Sequence, residues 1–196
     1  MGSYTAPNMP KAHSPLARFF LRLLLCAALA HGAAHSQTAL PARESAVKAA
    51  FLYKFGSFVE WPTGTFARPD DPLVIGVAGD EAVAADLEQV ITGRTVEGRP
   101  IAVRRVREPQ AAAGVNILFI GGTRESRLRE LLPPPPVPVL VVTEQDGALR
   151  LGSSINFSAE GGRVRFTASP ASAEARGIRL SSRLLAVAQA VEGRAR

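Results

Sequence analysis

Three apolar runs of strand length, Leu73–Ala78 (LVIGVA), Val115–Ile120 (VNILFI) and Val137–Val142 (VPVLVV), show almost no polar alternation. A half-buried strand alternates. A strand buried on both faces reads as a continuous apolar stretch, and such strands belong to parallel sheets held between helices. The intervening segments agree. Glu81–Ile91 puts Val83, Leu87, Val90 and Ile91 on one helical face, with Asp80 as N-cap and Gly93 as stop. Pro100–Val106 sets Ile101, Val103 and Val106 against Arg104 and Arg105, which predicts another strand. Gly121-Gly122-Thr123 opens a helix through Leu132, and Pro133–Pro136 stops it. Pro138 cannot donate to a ladder, so the strand over Val137–Val142 lies at an edge or pairs only after that residue. Ser154–Ser158 and Arg163–Ala168 flank Glu160-Gly161-Gly162 as a hairpin. Pro170–Val191 reads as a closing helix that Gly177 could interrupt. The whole predicts one α/β domain: a mostly parallel sheet with helices on both faces, a C-terminal hairpin at the edge and a last helix.

The N-terminus reads differently. Lys11 and Arg18 precede an apolar run, Phe19–Ala30, broken only by Arg22, and small residues follow through Ser36. This predicts a secretory signal over residues 1–36, cut after Ala34 or Ser36, with a retained anchor as the alternative. The run is too short to span a bilayer. Leu25 is bulky where lipoprotein processing at Cys26 needs a small residue. A polar lead-in (37–45), the domain (46–192) and a short tail (193–196) complete the predicted organisation.

Export would strip the chain of much chemistry. Cys26 is the only cysteine, His13, His31 and His35 are the only histidines, and Met1 and Met9 are the only methionines. A chain starting at Gln37 has no cysteine nucleophile, disulfide, Cys/His metal site or histidine acid–base pair, so neither a metal nor a cofactor is expected. The leader holds three of 23 basic and none of 17 acidic residues, leaving 20 against 17, a balance of +3. That modest charge, on an exported chain, argues against nucleic acid as a partner.

Aromatic residues concentrate in KAAFLYKFGSFVEWP, which holds Phe51, Tyr53, Phe55, Phe58 and Trp61. Over Ala46–Glu60 the helical period places Val47, Phe51, Phe55 and Phe58 on one face, and Trp61-Pro62 ends the helix. Lys48 falls within the apolar arc and Lys54 on its border, where their stems can lie on apolar surface while the charges stay wet. The polar face carries too few basic residues for a membrane-surface helix. The pattern predicts a core helix, with Tyr53 or Trp61 left partly exposed as a contact point.

Strand carboxyl ends are where ligands bind in open α/β sheets, so Gly79-Asp80 and Gly121-Gly122-Thr123-Arg124 form the default pocket, the second loop offering N–H groups and a guanidinium to a small anion. The competing reading is a tight turn capped by Thr123. Glu144 and Asp146 read as a solvated turn. Arg163 and Arg165 share one strand face and, with Arg179 and Arg183, give the last third a basic character suited either to solvent or to an acidic partner. Ser153-Ser154 and Ser181-Ser182 lack a histidine partner, which argues against a hydrolase.

Seven pieces in order resemble the YfiR/HmsC-like family of small periplasmic regulators: Val47–Phe55, Phe58–Pro62, Ile75–Asp80, the Gly93–Val103 stretch, Asn116–Gly121, Ile155–Phe157 with Gly162–Phe166, and Ile178–Leu185. The resemblance implies a non-catalytic periplasmic protein that inhibits a membrane-bound diguanylate cyclase by binding its periplasmic part, limiting cyclic-di-GMP and biofilm formation. It also implies an outer-membrane peptidoglycan-binding lipoprotein as a second partner, and a homodimer. Some relatives use cysteine pairs to report redox state, which a chain from Gln37 cannot do. The expected contact residues are Tyr53, Trp61, Phe157, Arg163, Arg165, Ile178 and Arg179. The alternative is a small-ligand sensor using the pocket at Gly79, Asp80, Gly121, Gly122, Thr123 and Arg124.

Overall fold

The computed structural model describes residues 43–193, so the predicted signal peptide and most of the polar lead-in lie outside the described residues. In chain order the elements are α1 (Glu44–Phe55), a 3-10 turn, β1 (Val59–Glu60), β2 (Leu73–Ala78), α2 (Glu81–Ile91), β3 (Thr95–Val96), β4 (Arg99–Arg105) and β5 (Ile117–Ile120). Then come α3 (Glu125–Leu131), β6 (Leu140–Thr143), β7 (Ile155–Glu160), β8 (Arg163–Ala168), α4 (Pro170–Glu174), β9 (Arg179–Leu180), α5 (Ser182–Val187) and β10 (Ala190–Val191).

Eight strands form one sheet in the order β10-β8-β7-β6-β5-β2-β4-β3. Strands β4, β2, β5, β6 and β7 run parallel, while β8 returns antiparallel to β7 and β3 antiparallel to β4. The predicted architecture is present, with the hairpin toward one end of the sheet. Pairing of β6 starts after Pro138, and β6 is central rather than at an edge. The short β3 went unforeseen; it closes a hairpin on β4 through Glu97 and Gly98, both at positive φ.

The continuous apolar runs follow directly from two-sided burial. Leu73, Ile75, Val77, Ile117, Phe119, Leu140 and Val142 face one core, shared with Leu52 and Phe55 of α1 and Val83 and Leu87 of α2. Val74, Ala78, Leu118, Ile120 and Val141 face the other, shared with Leu128 and Leu131 of α3. The central strands β2, β5 and β6 have no wet face, so they have no polar alternation to display.

The first core holds a five-ring cluster. Phe51 and Phe55 of α1 sit 5.3 to 5.9 Å from Phe157 and Phe166, and Phe119 sits 6.0 Å from Phe157. The aromatic segment is therefore a core helix, as its period predicts, but it is shorter than expected. It leaves α-helical geometry at Gly56, where a Cβ would stand 2.6 Å from Leu73 Cδ2. Val59-Glu60 then pairs with Leu180-Arg179 as a separate two-stranded ribbon.

The closing helix is where the sequence reading departs furthest from the structure. Pro170–Val191 is not one helix but α4, β9, α5 and β10. Gly177, at φ 72°, ends α4. Its N–H donates to Glu174 O and that of Ile178 to Ala173 O, the paired bonds of a Schellman motif. The helix closes there because the left-handed residue satisfies its last carbonyls, and Ile178 and Ala173 seal the turn in the core.

Candidate functional site

The default pocket is shut. It would lie between the carboxyl ends of β2 and β5, where the winding of the sheet reverses. There the two loops touch through their backbones: a Cβ on Gly79 would be 1.9 Å from Gly121 O. Glycine at 79, held at φ 80°, is what lets the loops close. Asp80 is spent as the N-cap of α2, accepting from Val83 N at 3.0 Å, as predicted. The Gly122 N–H, offered by the sequence to a ligand anion, instead donates to Glu144 Oε1 at 2.7 Å. Thr123 does not cap α3; its hydroxyl accepts from Gln145 Nε2 at 2.9 Å, and the N-cap position is Arg124 without a side-chain bond. Of the six pocket residues, Gly122 and Thr123 line a cleft of about 290 Å³ displaced toward β6 and β7 and bordered by Lys48, Glu144, Gln145 and Ser158.

Lys48 corrects a second expectation. It does not reach out to water; it is 8% exposed and pairs with Glu144 and with Glu44, the latter at 2.6 Å. Burial pushes its ammonium pKa down, yet the bonds from Glu144 and Glu44 outweigh this and leave it above the ordinary lysine value. Glu144 is accordingly no solvated turn residue. It joins α1 to the β5 and β6 loops through one carboxylate. A lysine inside an apolar arc, and an acid directly after a buried strand, were the signals that could have paired them.

The expected contact residues divide. Phe157 is 1% exposed and Ile178 fully buried, so both belong to the core and are not available to a partner in this conformation. The remaining five keep exposed surface. Pairing of β1 with β9 sets Glu60 opposite Arg179, with a 3.3 Å ion pair, across 119 positions of sequence, and Trp61 follows directly after β1. Trp61 packs edge-on against Phe66 at 6.3 Å, and the Arg99 guanidinium lies 4.1 Å above the Phe66 ring. Phe66 and Arg99 were not foreseen; the sequence shows a lone aromatic in a loop and an arginine in a strand. Tyr53 is half-buried, its ring flanked by Lys54 and Arg94 at 5.2 and 5.4 Å. Arg163 and Arg165 are exposed on β8, opposite Glu160 and Ser158 of β7, on the polar face of the hairpin.

Ser153 and Ser154 are fully buried, and Ser153 Oγ is tied to Ile155 O at 2.7 Å and to Thr143 Oγ1 at 2.9 Å. Among the described residues no cluster of three His, Cys, Asp or Glu side chains could hold a metal ion, and no helix is long and apolar enough to cross a membrane.

These features define a doubly wound α/β domain whose strand-end crevice is filled by its own backbone, with aromatic and arginine side chains displayed on a short ribbon and a hairpin. Residues 45–189, well over half of the chain, match the model of the YfiR/HmsC-like family, and the protein belongs to that family. No curated protein gives a significant match.

Proposed function

We propose that this is a periplasmic regulator that binds the periplasmic part of an inner-membrane diguanylate cyclase and holds it inactive, limiting cyclic-di-GMP and biofilm formation. Family membership carries the reading, since the YfiR/HmsC-like family is regulatory rather than catalytic. The closed β2/β5 switch point supports it, because there the Gly79 and Gly121 backbones meet and leave no room for a ligand. The contact surface is the ribbon with Trp61 and Arg179, together with Tyr53 and the Arg163/Arg165 face of the hairpin. Aromatic and arginine side chains of this kind dominate binding energy at protein interfaces. An inhibitor must bind one state of its target in preference to the other; reversing a 99:1 population takes about 5.5 kcal/mol of differential affinity. The lipoprotein and a second copy of this chain remain part of the proposal as release partner and assembly state.

The test uses the exported protein and the purified periplasmic segment of such a cyclase. Binding is read by calorimetry and cyclic-di-GMP in cells. Trp61→Ala and Arg163→Ala should each weaken binding by about 2 kcal/mol, roughly 30-fold, and raise cyclic-di-GMP, with the melting temperature held. Variants that lose stability yet repress normally, or a wild-type pair that fails to associate at micromolar concentration, would refute the assignment.

A further inference from the structure

Arg176 is the largest fully enclosed side chain of the described residues, 2% exposed, and no carboxylate pairs with it there. It lies directly before the Gly177 turn that ends α4. Its Nη1 donates to Pro133 O at 2.7 Å and its Nη2 to Gly152 O at 3.2 Å, while its Nε has no hydrogen-bond partner among the described residues. A guanidinium carries five donors, so most of them are unspent. Burial pushes its pKa below the ordinary arginine range. An enclosed cation normally keeps an anion beside it, because the cost of desolvation is otherwise unrecovered.

A cleft of about 270 Å³ opens against this residue. Its walls are Leu132, Leu151 and the Pro133–Pro135 run, and Arg129 stands at its border with Arg176. No acidic residue lines it. Two guanidiniums with apolar walls describe a ligand with one anionic end and a small hydrocarbon body. The cleft is bordered by the α3 end, the turn before β7 and the end of α4, on the face opposite the aromatic cluster, and it is separate from the strand-end crevice.

We infer that the cleft between Arg176 and Arg129 is a binding site for a small amphipathic monocarboxylate, whose carboxylate meets the exposed Arg129 guanidinium beside the enclosed charge of Arg176 and whose hydrocarbon part rests on Leu132, Leu151 and the prolines. Charge-assisted bonds to a planar guanidinium suit a carboxylate well. The site is independent of the regulatory reading above: it stands or falls on ligand binding by the isolated protein.

The probe is 4-methylpentanoate, titrated from roughly 0.1 to 30 mM at constant ionic strength, against its neutral amide and inorganic sulfate. The acid should raise the melting temperature of the exported protein in a saturable way, and the amide and sulfate should not. The ¹⁵N resonance of Arg176 Nε should move along the same isotherm, a readout that needs no variant. Arg129 is exposed and its ion pair is to Glu125 within α3, so Arg129→Gln should fold normally and weaken the acid roughly tenfold. Equal stabilisation by amide or sulfate, an unmoved Arg176 resonance, or an unchanged affinity in Arg129→Gln would each overturn the inference.

Discussion

Replacing Glu144 with glutamine removes one charge from the junction of α1, the β5 loop and the β6 loop while keeping shape. In the native protein this carboxylate accepts from Lys48 Nζ and from Gly122 N, and the Lys48 and Glu144 side chains are 10% and 18% exposed. Stripping one partner from a buried ion pair costs about 3–5 kcal/mol. Two features reduce that figure here. Glu44 remains on Lys48 at 2.6 Å, and the amide oxygen still receives Gly122 N–H. Glu44 is itself 55% exposed, and pairs of that kind contribute about 0–1 kcal/mol. The expected loss is therefore about 2 kcal/mol, or about 4–8 °C in melting temperature for a domain of this size. Urea unfolding at pH 7 measures it, with an unchanged m-value as the check that the unfolded state is unaltered. Lys48→Met removes the other half, and the double variant should cost at least 1 kcal/mol less than the sum of the singles. Strict additivity, or a Glu144→Gln loss under about 0.5 kcal/mol, would show that the pair is ornamental and that α1 is held by its rings alone. The pH dependence has a definite sign. The folded-state pKa of Lys48 is raised, so its contribution is complete below the ordinary lysine value of 10.5 and is lost only as pH rises through the higher folded value.

Three further outcomes follow from the packing. Phe157→Ala empties the centre of the five-ring cluster and should cost about 3–5 kcal/mol by denaturant unfolding, with no specific defect in partner binding beyond the loss of folded protein. Gly177→Ala places a side chain at φ 72° where nothing lies within 4 Å, so only backbone strain acts, about 1–2 kcal/mol by the same assay. Gly79→Ala adds a direct clash with Gly121 O to similar strain and should cost more than Gly177→Ala; a smaller loss would mean that the two loops part easily and the crevice can open.

Residues that answer only to neighbours in sequence were legible. Asp80 caps the helix it precedes, Gly161-Gly162 turns the hairpin it joins, and LVIGVA announces a strand with no wet face. The YfiR/HmsC-like family was legible too, because its short motifs fall in order along the domain. What failed were inferences about company. Lys48 looked like a residue bound for water until β6 placed Glu144 against it. Phe157 and Ile178 looked like contact candidates until α1 and the Gly177 turn enclosed them.

Local chemistry thus decided most element types as far as Ala168, the sheet class and most of the turns, since backbone preferences and hydrophobic period act over a few residues; beyond Pro170 it missed that the chain breaks into two short helices and two short strands. The tertiary structure alone decided that the β2/β5 crevice is filled, that Glu60 stands opposite Arg179, and that Arg176 is enclosed with no carboxylate beside it among the described residues. Each of these depends on which distant backbone comes to lie against a side chain, and charge, burial and vacancy are properties of that meeting rather than of either segment.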